Sequence, residues 1–326
     1  MTEEIIKGIY RIPVTLPNSP LRELNSYLVR GRDRNLLIDT GFNHPLCQET
    51  MISAFGKLGV NMSVTDILLT HMHSDHSGLA PEIIAPERNI FISREDMPRL
   101  FSETRNALWA KDTAAMLRAG FPRADAENPK TFSSSRAMAA SPFFKRYTPI
   151  VEGDLFPCGD YVLKAISSPG HTPGHMCFLI ESEKLMFTGD AVLFDITPNI
   201  TAWADTEDAL GDYLASLKKL DRYDVKLALP GHRQSGDYHT RIKELLQHHE
   251  ARLTECLQAV RSNPDSTAYE LASKLTWNVH FKSWNAFPAN QKWFAVGECL
   301  SHLQRLEALG YIVKDENSAL IRYHIR

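Results

Sequence analysis

Residues 66–78 restrict this chain more than any other stretch. Asp66-Ile67-Leu68-Leu69-Thr70 is a short apolar run bounded by polar residues, which is the pattern of a buried strand. His71, His73, Asp75 and His76 follow at once, in the order H-x-H-x-D-H. The fold must therefore end a buried strand in a loop that presents four donor side chains. In extended backbone alternate side chains share a face, so His71 and His73 point the same way. Asp75 and His76 come as the chain turns, aimed at a second point. Neutral imidazole and carboxylate are the donors that borderline divalent metals prefer. A polar loop rich in histidine by accident would look the same, so the rest of the chain must supply further donors.

It supplies them in one repeated arrangement. The strand-like run Tyr161–Ile166 leads into Ser168-Pro169-Gly170-His171-Thr172-Pro173-Gly174-His175, a loop fixed by glycine and proline. Lys184–Phe187 leads to Thr188-Gly189-Asp190, and Lys226–Leu229 leads to Pro230-Gly231-His232. Each candidate thus follows a strand through a short glycine-containing loop, which is how a layered fold holds chemistry rigidly at one edge. Asp39 ends the run Asn35–Ile38 and reads equally well as a turn aspartate or as an acceptor for a ligand histidine.

The intervening segments suit an α/β layered fold. Glu23–Val29 and Asn35–Asp39 read as a hairpin around Gly31–Arg34, 45–58 as a helix, 79–86 as a short helix and 89–93 as a strand. Residues 94–147 differ: Glu95–Gly120 is helical in pattern, then serine, proline and aromatic residues dominate. This insertion reads as a cap over the metal site, with Trp109, Phe121, Phe143 and Phe144 as pocket walls, or as aromatics packing its own scaffold. Thr206–Leu220 reads as an amphipathic helix.

The pattern changes again near residue 238, giving a catalytic domain over 1–237 and a C-terminal module over 238–326. Helices are expected over 239–261, 268–275 and 290–309, then a hairpin from Tyr311–Val313 and Ala319–Ile325, which together read as winged-helix-like. The module carries eleven Lys/Arg and nine Asp/Glu with no basic cluster, which argues against nucleic acid. Its aromatics Trp277, Phe281, Trp284, Phe287, Trp293 and Phe294 suit an ordinary core, the catalytic domain, or a second subunit in a homodimer.

With 43% hydrophobic residues, 23% charged and a net charge of −3, the chain has the composition of a soluble globular protein. No apolar run approaches the roughly 20 residues that span a bilayer, and the N-terminus lacks a secretion signal. The five cysteines (Cys47, Cys158, Cys177, Cys256, Cys299) are scattered and never spaced C-x-x-C. They read as buried small hydrophobes in a reducing cytoplasm.

Taken in order, His71, His73, Asp75, His76, His171, Asp190 and His232 closely resemble the signature of the metallo-β-lactamase fold superfamily, over about residues 5–235. The resemblance implies an αββα sandwich of two mixed sheets flanked by helices, with metals at one edge. It implies one metal on His71, His73 and His171, a second on Asp75, His76 and His232, and Asp190 between them. No cysteine stands in the second set, which looks like those of glyoxalase II-type thioesterases and lactonases. The layout of a catalytic domain followed by a winged-helix-like module is similar to the β-lactamase-like protein 2 group of hydrolases.

The implied chemistry is hydrolysis of a small-molecule ester by a hydroxide bridging two divalent cations, zinc by default, with manganese or iron as alternatives. Asp75 is the expected catalytic carboxylate. A thioester is the first choice of substrate and a lactone the second. A nuclease, a mononuclear iron persulfide dioxygenase and a non-enzymatic DNA-binding regulator are the rival classes. By the same resemblance His175 supports the site rather than ligating. His44 reads as a helix cap or surface residue, and the remaining histidines have no ligand-like setting.

Overall fold

The computed structural model describes residues 2–128, 136–278 and 282–326. It divides the chain into two compact units. The first comprises residues 1–105, 134–198 and 216–242; the second comprises 106–133, 199–215 and 243–326.

Two sheets build the first unit. One contains, in spatial and chain order, Glu3–Ile6 (β1), Ile9–Thr15 (β2), Glu23–Val29 (β3), Asn35–Ile38 (β4), Thr65–Leu68 (β5), Ile90–Ser93 (β6) and Tyr147–Ile150 (β7). Its first four strands pair antiparallel and the last four parallel, so the sheet is mixed. The other contains Leu155–Cys158 (β8), Tyr161–Ser167 (β9), Met176–Ile180 (β10), Leu185–Gly189 (β11) and Leu227–Pro230 (β12), with β11–β12 its one parallel pair.

The alternation of side chains explains why two sheets stack. In β4, Leu36 and Ile38 face the second sheet, where they meet Phe178, Phe187 and Leu163. Leu37 faces the other way, onto Cys47, Met51 and Phe55 of the helix Pro45–Leu58. A strand buried on both faces has no polar side, which is why Leu36–Ile38 reads as an unbroken apolar run. On the far side of the second sheet, Tyr238 Oη reaches Leu220 O at 3.1 Å and Met186 Sδ at 3.4 Å. The result is the expected αββα sandwich of two mixed sheets.

Several local expectations hold with clear causes. The helix Pro45–Leu58 starts at His44, whose Nδ1 accepts the Leu46 N–H at 3.2 Å, and stops at Gly59 in the left-handed region. His44 is thus a cap. All five cysteines are buried and free. Tyr147–Ile150 departs from expectation, being a strand at the end of the segment read as irregular.

In the second unit the helices Tyr238–Ser262 (from residue 243 onward), Ala268–Ala272 and Ala289–Ala308 precede the hairpin Ile312–Asp315 and Arg322–Ile325. Val260, Leu271, Val296, Leu303 and Ile312 form its core, to which residues 106–133 add Met116 and Phe121. The ring of Phe121 packs on Trp293 and Tyr269 at 5.3 and 5.6 Å. That is the scaffold-packing alternative for Phe121. Phe144 packs on Tyr147 at 4.9 Å beside the core of the first unit, while Phe143 is 89% exposed. Trp277, Trp284 and Trp293 border the second unit's core, whereas Phe294 is half exposed and Phe281 lies outside the described residues. Among the described residues no helix is long and apolar enough to cross a membrane.

Candidate metal centre

All seven candidate donors converge at one edge of the first unit, each just past the C-terminal end of a strand or on a short helix that follows it. His71 and His73 follow β5, and Asp75 and His76 lie on the turn of helix Ser74–Ser77. His171 sits between β9 and β10, Asp190 follows β11 and His232 follows β12. Three groups of donor atoms lie within 4.8 Å of one another: His71, His73, His171; His71, His76, Asp190; and Asp75, His76, His232.

The distances are those of a cage. His73 Nδ1 lies 2.9 Å from His71 Nε2 and 3.0 Å from His171 Nε2. His76 Nε2 lies 3.2 Å from His232 Nε2, and Asp75 Oδ2 lies 3.4 Å from the latter. Asp190 stands between the two sets, with Oδ1 3.6 Å from His76 Nε2 and Oδ2 3.6 Å from His171 Nε2 and 3.8 Å from His232 Nε2. Gly231 leaves room for this: a Cβ there would lie 2.6 Å from Asp190 Oδ1 and 2.8 Å from His76 Cε1.

Hydrogen bonds on the outer nitrogens fix which way the lone pairs point. Asp39 Oδ2 accepts from His76 Nδ1 at 2.7 Å, and Glu23 O accepts from His232 Nδ1 at 2.8 Å. The two Nε2 atoms that face each other therefore both present lone pairs. Asp39 also accepts from Thr70 N at 2.8 Å and from Thr70 Oγ1 at 2.7 Å. Having donated to Asp39, the Thr70 hydroxyl accepts from His71 Nδ1 at 3.0 Å, so His71 Nε2 also turns a lone pair inward. Asp39 sits at φ +57° and is both the turn residue and the acceptor.

Two facing lone pairs need a cation or a proton between them. Burial pulls His76 down, but Asp190, Asp39 and Asp75 outweigh it and push it well above its ordinary value. His232 is raised in the same way, against burial, by Asp190 and Asp75. Burial and the neighbouring imidazoles push His73 down to about 3 and His71 well below its ordinary value, so both stay neutral donors. Burial raises the carboxyls of Asp190 and Asp75, yet the imidazoles around them hold both below the carboxylate range.

One more atom fits a cation at this place. Asp190 Oδ1 is buried and, among the described residues, has no hydrogen-bond partner, a costly state for a carboxylate oxygen. Borderline divalent metals fit this donor set of imidazoles and carboxylates.

The superfamily's sequence pattern, described as the metallo-beta-lactamase superfamily, matches residues 21–232. The chain belongs to this superfamily. Over 99% of its length it is similar to a metallo-beta-lactamase family protein of Thermus thermophilus, with a TM-score of 0.81, 28% identity and all of that chain covered. A beta-lactamase domain protein of Burkholderia ambifaria shares the fold, with a TM-score of 0.79, 24% identity and coverage of 100% of this chain and 95% of that one. In sequence the chain is 28% identical to an atrochrysone carboxyl ACP thioesterase of Aspergillus novofumigatus, over 71% of its own length and 55% of that protein. A protein of the same name from Aspergillus terreus is 29% identical over 65% of this chain and 50% of its own length. The chain thus spans about half the length of these relatives.

Sequence reasoning gives His175 as a support of this superfamily site and misses Asn25, Tyr27 and Ser168. His175 Nε2 accepts the Asp190 N–H at 3.0 Å while its Nδ1 meets Ser168 Oγ at 2.8 Å, so it steadies Asp190 from behind. Asn25 Nδ2 and Tyr27 Oη donate to Pro230 O at 3.0 and 2.8 Å, tying β3 to the loop of His232. Neither Asn25, Tyr27 nor Ser168 stands in a motif.

Proposed function

We propose that this chain is a di-metal hydrolase of thioesters, acting on a small-molecule or carrier-borne acyl group. The observation that carries the reading is the pair of donor sets whose inner lone pairs and orphaned carboxylate oxygen face a common space. His71, His73 and His171 would hold one divalent cation, Asp75, His76 and His232 the other, and Asp190 both. When bound, such a pair supplies a water acidic enough to attack at neutral pH and a Lewis acid for the substrate carbonyl. Zinc is the default, with manganese and iron as the alternatives.

The protein's own part is orientation. Asp39 and Glu23 O set the tautomers of His76 and His232, and Thr70 relays the Asp39 charge to His71. Asp75 is the more exposed carboxylate, its side chain 14% accessible against 9% for Asp190. It would orient the attacking water and carry a proton to the leaving thiolate. The thioester choice is supported by the names of the fungal relatives, and the absence of a cysteine from the second set agrees with it.

The test couples metal analysis of the purified protein to a substrate panel of acyl thioesters, lactones, β-lactams and phosphodiesters. The proposal expects about two divalent ions per chain and preferential thioester cleavage. A preference for phosphodiesters would move the chain to the nucleases. A single redox-active iron would move it to the persulfide dioxygenases.

A further inference from the structure

Asp96 is a carboxylate in the first unit with no exposed surface, three residues past the end of β6. Its Oδ2 accepts from Met72 N at 3.0 Å and from Thr172 Oγ1 at 2.6 Å, and its Oδ1 accepts from Gly174 N at 2.8 Å. Its own N–H donates to Ser93 Oγ at 3.1 Å, which fixes the turn that carries it. Met72 lies between His71 and His73, and Thr172 and Gly174 follow His171 within its loop. One side chain thus grips both loops that present the three-histidine set.

The contact is built to be close. A Cβ at Gly174 would lie 2.1 Å from Ser93 Oγ, 2.6 Å from Asp96 N and 2.8 Å from Asp96 Oδ1, so only glycine lets the loop come down onto this carboxylate. Two of the three donors are backbone amides, which can only donate, so the site calls for an acceptor on both oxygens. The second donor set is steadied elsewhere, His76 by Asp39 and His232 by Glu23 O.

We infer that Asp96 is a positioning residue for the three-histidine set: it holds the 71–73 loop against the 171–174 loop so that His71, His73 and His171 meet at one point. The inference rests on the metal-centre reading above and assigns Asp96 no contact with metal or substrate. It predicts selectivity, because the carboxylate grips the loops of one donor set.

The experiment is zinc titration of the full chain against a competing chelator, in two backgrounds. His232→Ala leaves the three-histidine set whole, and His171→Ala leaves the set of Asp75, His76 and His232 whole. Asp96→Asn, which places an amide donor against a backbone donor, should weaken zinc by roughly 10- to 100-fold in the first background, as loss of an outer-shell partner does, and by under about threefold in the second. The melting temperature of the metal-free protein should fall by a similar amount in both backgrounds, because the opposed donors cost stability wherever the metal binds. Thr172→Val, which removes one of the three bonds and no charge, should weaken the same set by a smaller factor. Equal weakening in both backgrounds, or none in either, overturns the inference. Should Asp96→Asn fail to fold, an unchanged affinity in Thr172→Val overturns it. Failure of the unsubstituted protein to bind zinc instead overturns the metal-centre reading itself.

Discussion

The substitution Asp39→Asn isolates the tautomer argument, because it keeps the shape and removes one acceptor. Asparagine also tolerates the positive φ of +57° at this position, so backbone strain does not enter. In the present arrangement Oδ1 accepts from Thr70 N, while Oδ2 accepts from Thr70 Oγ1 and His76 Nδ1, both at 2.7 Å. If the amide nitrogen takes the place of Oδ2, it opposes the His76 Nδ1–H. His76 then keeps an unsatisfied buried donor, at about 1–3 kcal/mol, or moves its proton to Nε2, where it points at the position of the cation. The Thr70 hydroxyl can accept from the new amide and turn its hydrogen toward His71 Nδ1, which flips that ring's tautomer as well. If the amide nitrogen takes the place of Oδ1 instead, it opposes the Thr70 N–H at a similar cost.

Every arrangement therefore loses at least about 1 kcal/mol, at the ligands when the amide nitrogen replaces Oδ2 and at Thr70 N–H when it replaces Oδ1. Metal affinity should fall roughly 10- to 100-fold, equivalent to about 1.4–2.8 kcal/mol. The loss should extend to both donor sets, since Asp39 reaches His76 directly and His71 through Thr70. Chelator-competition titration of the variant measures this, with circular dichroism as a check on folding. An affinity within about twofold of the parent together with unchanged stability in urea would refute the reasoning, because no placement of an asparagine satisfies all three donors.

Other expectations follow from the same structure. Asp190→Ala and His73→Ala should each abolish retention of metal through gel filtration together with thioester turnover, and full activity in either variant would refute the assignment. Burial pushes His302 down to about 4, and its neighbour His249, 3.3 Å away and also buried, well below its ordinary value. A histidine with a lowered folded pKa contributes stability that is complete above the unfolded value near 6.5 and is lost as pH falls toward 4. Between pH 7 and 5 His302 alone should account for about 2 kcal/mol of lost stability, which His302→Gln should largely remove in urea unfolding at the two pH values. Thr267 caps the helix Ala268–Ala272 in a reciprocal box with Glu270. Thr267→Ala should cost about 1 kcal/mol in the same assay.

What could be read from the sequence divides along a chemical line. The seven donors were legible because metal chemistry admits few residue types, and because each comes soon after a run that reads plainly as a strand, buried throughout in Thr65–Leu68 and Leu185–Gly189 and alternating in Tyr161–Ser167. Asp39 was half legible: a carboxylate ending a strand suits a turn or a hydrogen bond, and here one residue performs both. The residues that steer those donors carry no such restriction. His76 is oriented by a carboxylate, His71 by a hydroxyl and His232 by the carbonyl oxygen of Glu23, a group that every residue possesses. Asp96 lies in Ser93-Arg94-Glu95-Asp96, which looks like any polar strand end, and its importance arises only when β6 lies beside β5 and the 171–174 loop descends on both. Phe121 was half legible, since an aromatic before proline suits a pocket wall or scaffold packing, and the topology decides by delivering Tyr269 and Trp293. A substitution at Glu23 could leave its carbonyl untouched and the site intact, whereas Asp96 has no backbone substitute. Asn25, Tyr27 and Ser168 also act through side chains that mutation can remove, but of these four supports Asp96 is the one that bonds both the 71–73 and the 171–174 loops.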